Sequence, residues 1–532
     1  MDNTEIRTTK ADPQAMGYGD AGASYVRRAL AAFIARSGSP RDDIDMHNFT
    51  LRQRGRMLYM ASPIATSAIR TTCTNVVGIG LKLKCHVDQE VLGMTPEQAR
   101  AWQRTTEAEW RLWSDKKQNC DATGMCNFNG IQQLALASAL MSGDCVALLP
   151  HVGVTPISPY GLRVKLVEAD LVSTPDTMGV MPGTITEGTA PNGNYIYDGV
   201  EVDRNTTAIV AYHICNRYPF ELTQIGRPRE WVRVEAYGKR TGLPNVLHIV
   251  DPERIGQYRG VTFLAPIIEQ LLQIRRYTES ELMAALVQSF FTAWIETETD
   301  PSLFPTNEVG SEERGDSEVS HDPNEYEMGA GQVIHLKPGE KVNFGNPNIP
   351  TNGFDAFVKS VATQIGAALE IPRDVLLKEF NSSYSASRGA LLEAYRFFRK
   401  KRTWLVDSLC QPVYEVWLAE AVARGRISAP GFFADPLVRA AYCGAKWIGP
   451  AQSQIDPSKE VKAAIEAVHE GFKTHEQATV ELDGGDWEEN MDQLEREQKR
   501  LGEVKGTTNA PVSPQGNNDT DGDEDGQEGD DK

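Results

Sequence analysis

Residues 263–295, FLAPIIEQLLQIRRYTESELMAALVQSFFTAWI, and residues 354–369, FDAFVKSVATQIGAAL, decide the reading of this 532-residue chain. The first run opens on Ala265-Pro266. Proline is at home in a first helical turn because its missing N–H would be unpaired there anyway. Ile267, Leu271, Ile274, Leu282, Leu286 and Phe290 supply the apolar side. Read as helix to Ile295, the run spans about 45 Å at 1.5 Å per residue. In the second run Phe354, Phe357, Val358, Val361, Ile365, Ala368 and Leu369 recur at steps of three and four, a single apolar stripe. Ile371-Pro372 stops it. Between the runs lies a polar, acidic insertion, residues 296–352. It ends in an expected strand pair, 331–336 with 341–344, around Lys337-Pro338-Gly339. A Ser-rich break over 381–387 then leads into a third helix, from Ser387 to Ala423, kinked at Pro412. Two rods joined through an acidic tip make little sense alone and good sense when repeated around an axis.

Working outward, the spacing predicts helices over 49–77, broken at Pro63, and over 96–116, with Thr95 as N-cap. Ala99, Trp102, Thr106, Trp110 and Trp113 share one face of the second. A helix over 131–141 ends at Gly143, and 145–150 reads as a buried strand. Short strands are expected at 164–167, 199–202, 208–214, 231–234 and 246–250, separated by Gly and Pro clusters. Helices followed by a strand-rich stretch give the α+β class. Residues 425–455 read as irregular. Asp456-Pro457 opens a helix to His469, Thr474 with Gln477 forms a capping box, and 487–501 is a charged helix.

A chain of this length exceeds what one core supports, so several subdomains are expected. The formal charge is −19. The tail 519–532 holds eight acids and one Lys, leaving the body at −12. A sequence-reading DNA binder would show a basic face, so the acidic body argues against one. It is compatible with a wall that DNA slides past. The eight cysteines are scattered, without a C-x-x-C pair, and read as reduced thiols. No apolar stretch is long enough to span a bilayer, and the first ten residues resemble no secretory signal.

The motifs of enzymes are missing. There is no G-x-x-x-x-G-K-[ST], and Gly78-Ile79-Gly80 lacks the third glycine of a dinucleotide loop and reads as a turn before a strand. The nine histidines are isolated, and His213 and His248 lie in strand-like segments where packing is the simpler role. Neither a metal site nor a cofactor nor a catalytic residue is expected. The acids Glu308, Glu312, Glu313, Asp316, Glu318, Glu325 and Glu327 sit among Gly, Ser and Asn, which fits a solvated surface better than a rigid metal site. One basic cluster stands out: Arg396, Arg399, Lys400, Lys401 and Arg402, interleaved with Tyr395, Phe397, Phe398 and Trp404. It reads as an amphipathic helix with a charged face. Contact with phosphate or with acids on a neighbouring subunit is the competing role.

Four segments carry a resemblance. They are VLHIVDPERIGQYRGVTFLAP (246–266), with its Gln257-x-Arg259-Gly260 turn; YTESELMAA (277–285); GAALEIP (366–372) leading to NSSYSASR (381–388); and WIGP (447–450) with IDP (455–457). In order and spacing, from about 48 to 500, the chain resembles the portal proteins of lambda-type tailed phages. The resemblance implies a portal fold with wing, stem, clip and crown, assembled as a ring around a central tunnel. By position, 1–48 is an N-terminal arm and 49–260 the wing, helical then β-rich. The first stem helix is 261–296, the clip 297–352, the second stem helix 353–370 and the tunnel loop 371–387. A long wing helix and connector take 388–454, a helical crown 455–500, and a disordered acidic tail 501–532.

The resemblance further implies a structural protein without enzymatic activity. Usually twelve copies stand at one vertex of an icosahedral head, in place of a pentamer of the major capsid protein. The terminase large subunit drives double-stranded DNA inward through the ring, and head-completion or adaptor proteins join below. The implied location is the virion, at the portal vertex, with assembly in the host cytoplasm, and no membrane partner. Lys378, Asn381, Ser382, Ser383, Tyr384, Ser385, Ser387 and Arg388 become the segment facing passing DNA. Its neutral hydroxyls and amide can touch a backbone without holding it. Steep counterion release would otherwise make the duplex stall. The acids of 308–327 would face the motor or the head-completion proteins. Two other readings stay open: a different structural minor head or head–tail adaptor protein, and a metal-dependent nuclease or head-maturation hydrolase built on Glu312 and Glu313.

Overall fold

Three-four apolar spacing and short alternating stretches succeed one another along the chain, and helical and β layers follow them. A computed structural model describes residues 28–33, 35, 37–176, 186–221, 223, 228–289, 293–297, 340–344, 353–380, 383–451 and 457–507. The chain divides into two units: residues 1–80 with 85–445, and residues 81–84 with 446–532.

In the first unit α1 (Met46–Ala61) and α2 (Pro63–Val76) meet at Ser62, which caps α2 while Pro63 takes its first turn. Strand β1 (Lys82–Cys85), all but Cys85 in the second unit, precedes α3 (Pro96–Ser114) in the chain. Thr95 and Gln98 satisfy each other's backbone N–H there, a capping box. Trp110 of α3 packs edge-on against Phe128, Tyr414 and Trp417. Helix α4 (Phe128–Ser142) ends at Gly143. Eight strands follow: β2 (Asp144–Leu148), β3 (Lys165–Glu168), β4 (Glu187–Thr189), β5 (Tyr195–Tyr197), β6 (Val200–Val202), β7 (Ile209–Cys215), β8 (Trp231–Glu235) and β9 (Val246–Val250). They pair as two antiparallel sheets, β3-β2-β9 and β4-β5-β6-β7-β8. Val146, Val167, Val200, Val202, Tyr212 and Val246 form part of one core beneath them. Strands β4 and β5 escape the sequence reading, because neither EGT nor YIY, set among Gly, Asn and Pro, shows the apolar alternation that VEV of β6 shows.

A buried ionic lock joins the helices to the sheets. Arg259, fully buried, donates from Nε and Nη2 to the two oxygens of Asp144 at 2.7 and 3.0 Å. It also donates to the carbonyls of Val172 and Ala169, both at 2.8 Å, and of Asp198. Arg52 of α1 reaches Asp198 at 2.9 Å, and Arg56 pairs with Asp170. Burial alone would raise the Asp144 pKa; the Arg259 guanidinium outweighs it and holds the carboxyl well below its usual range. Beside the lock two glycines touch: a Cβ on Gly260 would sit 2.0 Å from the Gly143 carbonyl oxygen. Gly143 itself has φ +95°, a conformation that favours glycine. Asn48 clamps the same spot, donating to the Gly260 carbonyl at 2.8 Å.

The lock fixes the start of the first rod. A 3₁₀ turn, Ala265–Ile267, carries Pro266 and continues as α5 (Ile268–Ser289). The helix stops there rather than at Ile295. Ala293–Thr297 is strand β10, paired antiparallel with β11 (Glu340–Phe344). Its Trp, Ile and Thr favour strand, and a continuous apolar run does not reveal its own period. The rod is thus about 33 Å long by its rise. Residues 341–344 pair with 293–296, and 331–336 lie outside the described residues.

The second rod is α6 (Phe354–Ala368), held to the first by Tyr277, whose ring lies 4.6 Å from Phe357 and 5.6 Å from Phe354. The expected loop over 371–387 contains a helix, α7 (Arg373–Leu377). The next helix, α8 (Tyr384–Leu405), starts three residues earlier than the serines suggested. It runs through a π turn, Val406–Cys410, into α9 (Gln411–Ala423). The wider turn immediately precedes Pro412 and takes up the missing N–H. Residues 425–455 are more regular than expected, holding α10 (Pro436–Tyr442) and β12 (Ala445–Ile448).

The second unit contains α11 (Pro457–His469), α12 (His475–Leu482) and α13 (Trp487–Thr507). Thr474 and Gln477 form the expected capping box. Asp456 lies outside the described residues, and α13 continues six residues past Leu501. Among the described residues no helix is long and apolar enough to cross a membrane.

Candidate functional site

The site is built where the second rod ends. At Gly366 a side chain would collide with the Ile371 carbonyl oxygen, 2.4 Å from the Cβ position, so the chain can turn back tightly. Glu370 takes φ +55° and Pro372 starts α7, whose Val375 and Leu376 are buried. Ser67 of α2 donates to the Leu376 carbonyl at 2.8 Å and pins the turn. Lys378 ends α7 in the left-handed conformation, φ +58°, with its N–H donating to the Asp374 carbonyl. A lysine there costs on the order of 1 kcal/mol relative to glycine. Its side chain is exposed.

Of the remaining residues expected to face DNA, Ser383, Tyr384 and Ser385 are exposed, and Ser387 and Arg388 are half-buried. Tyr384, Ser385, Ser387 and Arg388 belong to the first turns of α8, so they present side chains from a helix and not from a loop. Asn381 and Ser382 lie outside the described residues, as do Glu308, Glu312, Glu313, Asp316, Glu318, Glu325 and Glu327.

The basic cluster on α8 splits in two. Phe397 and Phe398 are buried, with Phe397 stacked on Phe263, and this fixes the helix's rotation. Lys401 and Arg402 are thereby turned onto the chain itself. Lys401 pairs with Asp251 at 2.6 Å. Arg402 donates to the carbonyls of Val76 and Asn75 at 3.0 and 2.9 Å, satisfying the open end of α2. Trp404 adds a bond to the Val250 carbonyl at 2.9 Å. Arg396, Arg399 and Lys400 stay exposed. Arg396 is 3.1 Å from Glu393, and Lys400 is 3.8 Å from Glu370.

Between α6 and α8 these side chains border a groove of about 530 Å³, floored by Gly366, Ala367, Ile371 and Phe397. Arg373 joins Arg396 and Lys400 on its rim. The sequence reading missed Arg373, and its place directly after the Ile371-Pro372 stop was the available signal. Mixed charge over an apolar floor suits a protein segment or a glancing phosphate better than a small substrate.

The chemistry elsewhere is inert. Burial pushes the thiols of Cys73, Cys120 and Cys443 up to about 12, away from thiolate reactivity. All eight cysteines are unpaired. His213 Nε2 bonds with Glu201 at 3.2 Å, and His248 Nε2 lies 3.3 Å from Asp144, so both rings sit against buried carboxylates. Among the described residues no group of three or more His, Cys, Asp or Glu is arranged to hold a metal ion.

The family model described as phage portal protein, lambda family, matches residues 27–402, and the chain belongs to that family. The match takes in both rods, the ionic lock and the basic cluster. Two relatives show how far the likeness extends. The portal protein of Escherichia phage N15 is 24% identical over 450 residues, 81% of each chain. Portal protein B of Escherichia phage lambda is 24% identical over 476 residues, 86% of each. Among solved structures, the neck of an empty gene transfer agent particle, computed with C6 symmetry, is 12% identical. That comparison has a TM-score of 0.44 and covers 83% of this chain and 94% of that one.

Proposed function

We propose that this chain assembles with copies of itself into the ring-shaped DNA conduit at one vertex of a phage head. One observation carries the reading beyond family membership. The paired rods leave Leu282, Met283, Leu286 and Phe357 exposed, at 61%, 62%, 52% and 41%. Apolar side chains left open on both rods call for a partner surface, and neighbouring copies in a closed ring supply one. On this reading α5 and α6 are the stem, 297–352 the clip, and the first unit's helices and sheets the wing.

The ring is structural and not enzymatic. The chain has no phosphate-cradling loop, so the motor for packaging is a separate terminase, docking with head-completion proteins at the acidic clip. Double-stranded DNA passes Lys378, Ser383, Tyr384 and Ser385, together with Asn381 and Ser382, and is touched there without being gripped. Arg373, Arg396, Arg399 and Lys400 serve contacts with a neighbouring copy or passing phosphates. Lys401 and Arg402 take no part, because their own chain holds them. The assembled ring meets the major capsid protein at the vertex.

Negative-stain microscopy and native mass spectrometry of the purified protein test the reading. Rings with an axial hole are expected, at about 700 kDa for twelve copies of 58.7 kDa. A chain that stays monomeric at every salt and protein concentration overturns it.

A further inference from the structure

The C-terminal helices are well specified yet have no core. Residues 446–451 and 457–502 contain no buried side chain. Their ends are nevertheless defined: Thr474 and Gln477 cap α12, and Asp486 accepts from the N–H groups of Glu488 and Glu489 at the start of α13. Helices as short as α11 and α12, 13 and 8 residues, are marginal in water without a packed apolar face. Here those faces are open. Val461 and Ile465 of α11 are 40% and 62% exposed, and Met491, Leu494 and Leu501 of α13 are 45%, 47% and 58% exposed.

The two faces differ in kind. On α13, Trp487, Met491, Leu494, Gln498 and Leu501 follow alternating steps of four and three, the spacing of a coiled-coil seam. Gln498 is the polar member, of the sort that fixes register and partner. Glu495 and Glu497 flank the seam at once on either side. Laying this seam antiparallel on its own copy sets carboxylates of the same flank against each other, which disfavours that symmetric pair. On α11, Val461, Ile465 and Val468 share one side, and Lys462 borders it. Lys462 offers the seam's carboxylates a positive charge on that border, with Glu460 on the other. A contact between two unlike patches on identical chains is the head-to-tail type, which closes into rings.

We propose that the C-terminal unit completes its core only between copies, the α13 seam of one chain docking on the α11 face of the next. The proposal rests on the ring reading above and adds to it which surfaces meet. It also makes order in the unit a consequence of assembly.

Full-length protein carrying both Ile465→Cys and Leu494→Cys tests it. Mild oxidation of the ring should give a ladder of covalent multimers on a non-reducing gel. Each single replacement should give no more than the parent chain, because unlike positions meet. Independently, in the unaltered protein, assembly should slow amide exchange in α11 and α13 by at least about tenfold. A ladder from Leu494→Cys alone overturns the proposal. So does a cross-link confined within one chain, or α11 and α13 amides that exchange alike before and after assembly. Rings that form with those results remove the docking and leave the conduit reading standing. A chain that never assembles removes both.

Discussion

Replacing Arg259 by alanine strands Asp144, whose side chain is fully buried. Two bonds to that carboxylate are lost, and the carbonyls of Ala169, Val172 and Asp198 lose a donor. Deleting one partner of a buried pair costs about 3–5 kcal/mol. A second route gives a similar figure. The stranded carboxyl escapes by binding a proton, which at pH 7 costs about 4 kcal/mol from a reference pKa near 3.9. In the parent, the folded Asp144 pKa is depressed, so its contribution is present above the unfolded value and is lost as pH falls. In the variant the stranded group titrates above its unfolded value, and its penalty fades as pH falls. Both trends narrow the gap between the two proteins on acidification. Urea unfolding of the unassembled chain, followed by fluorescence of the buried Trp110, Trp113 and Trp417, reads the difference. We expect a loss of about 3–5 kcal/mol at pH 7 and a smaller one at pH 5. Lysine at 259 keeps the charge without the planar fork and should fall between. A loss under about 1 kcal/mol, or a deficit equal at both pH values, refutes the lock as the origin of stability here.

Asp45 gives the opposite sign. Burial, reinforced by the Asp198 charge, pushes its carboxyl up to about 6. Between the unfolded value of 3.8 and that point the folded state holds the extra proton, so stability falls as pH rises through the window. Asp45→Asn should therefore raise stability at pH 7.5 by up to about 3 kcal/mol and give no gain at pH 4, as thermal scans at the two pH values will show. Arg402→Ala uncaps α2 and should cost about 1–2 kcal/mol in the same urea assay. Arg399→Ala, at an exposed position on the same helix, should stay within about 0.5 kcal/mol of the parent; equal losses from the two would contradict the split of the basic cluster.

Elements that announce their own ends were legible in the sequence. Thr95 before Pro96, Thr474 with Gln477, and the stop at Ile371-Pro372 each place a boundary through local hydrogen bonding or sterics. The strands at 200–202, 209–215 and 246–250 were legible for the same reason, bounded by Gly and Pro. What stayed hidden depends on distant chain. Arg402 looks like Arg399 until its partners, 326 and 327 positions away, are folded against it. Arg259 reads as a charged turn residue, since Asp144 lies 115 positions back. The six residues after Ser289, FFTAWI, gave an apolar signal interrupted at Thr292, and a pairing partner at 340–344 decides between rod and ribbon.

That ribbon has an architectural consequence. Thr297 stands directly opposite Glu340, so everything between them departs and returns through a single doorway two strands wide. Lengthening such a segment adds closure entropy slowly, about 0.6 kcal/mol per doubling. A change in the length of 298–339 is therefore cheap in closure entropy, and the register from Ala293 opposite Phe344 to Thr297 opposite Glu340 can stay as it is.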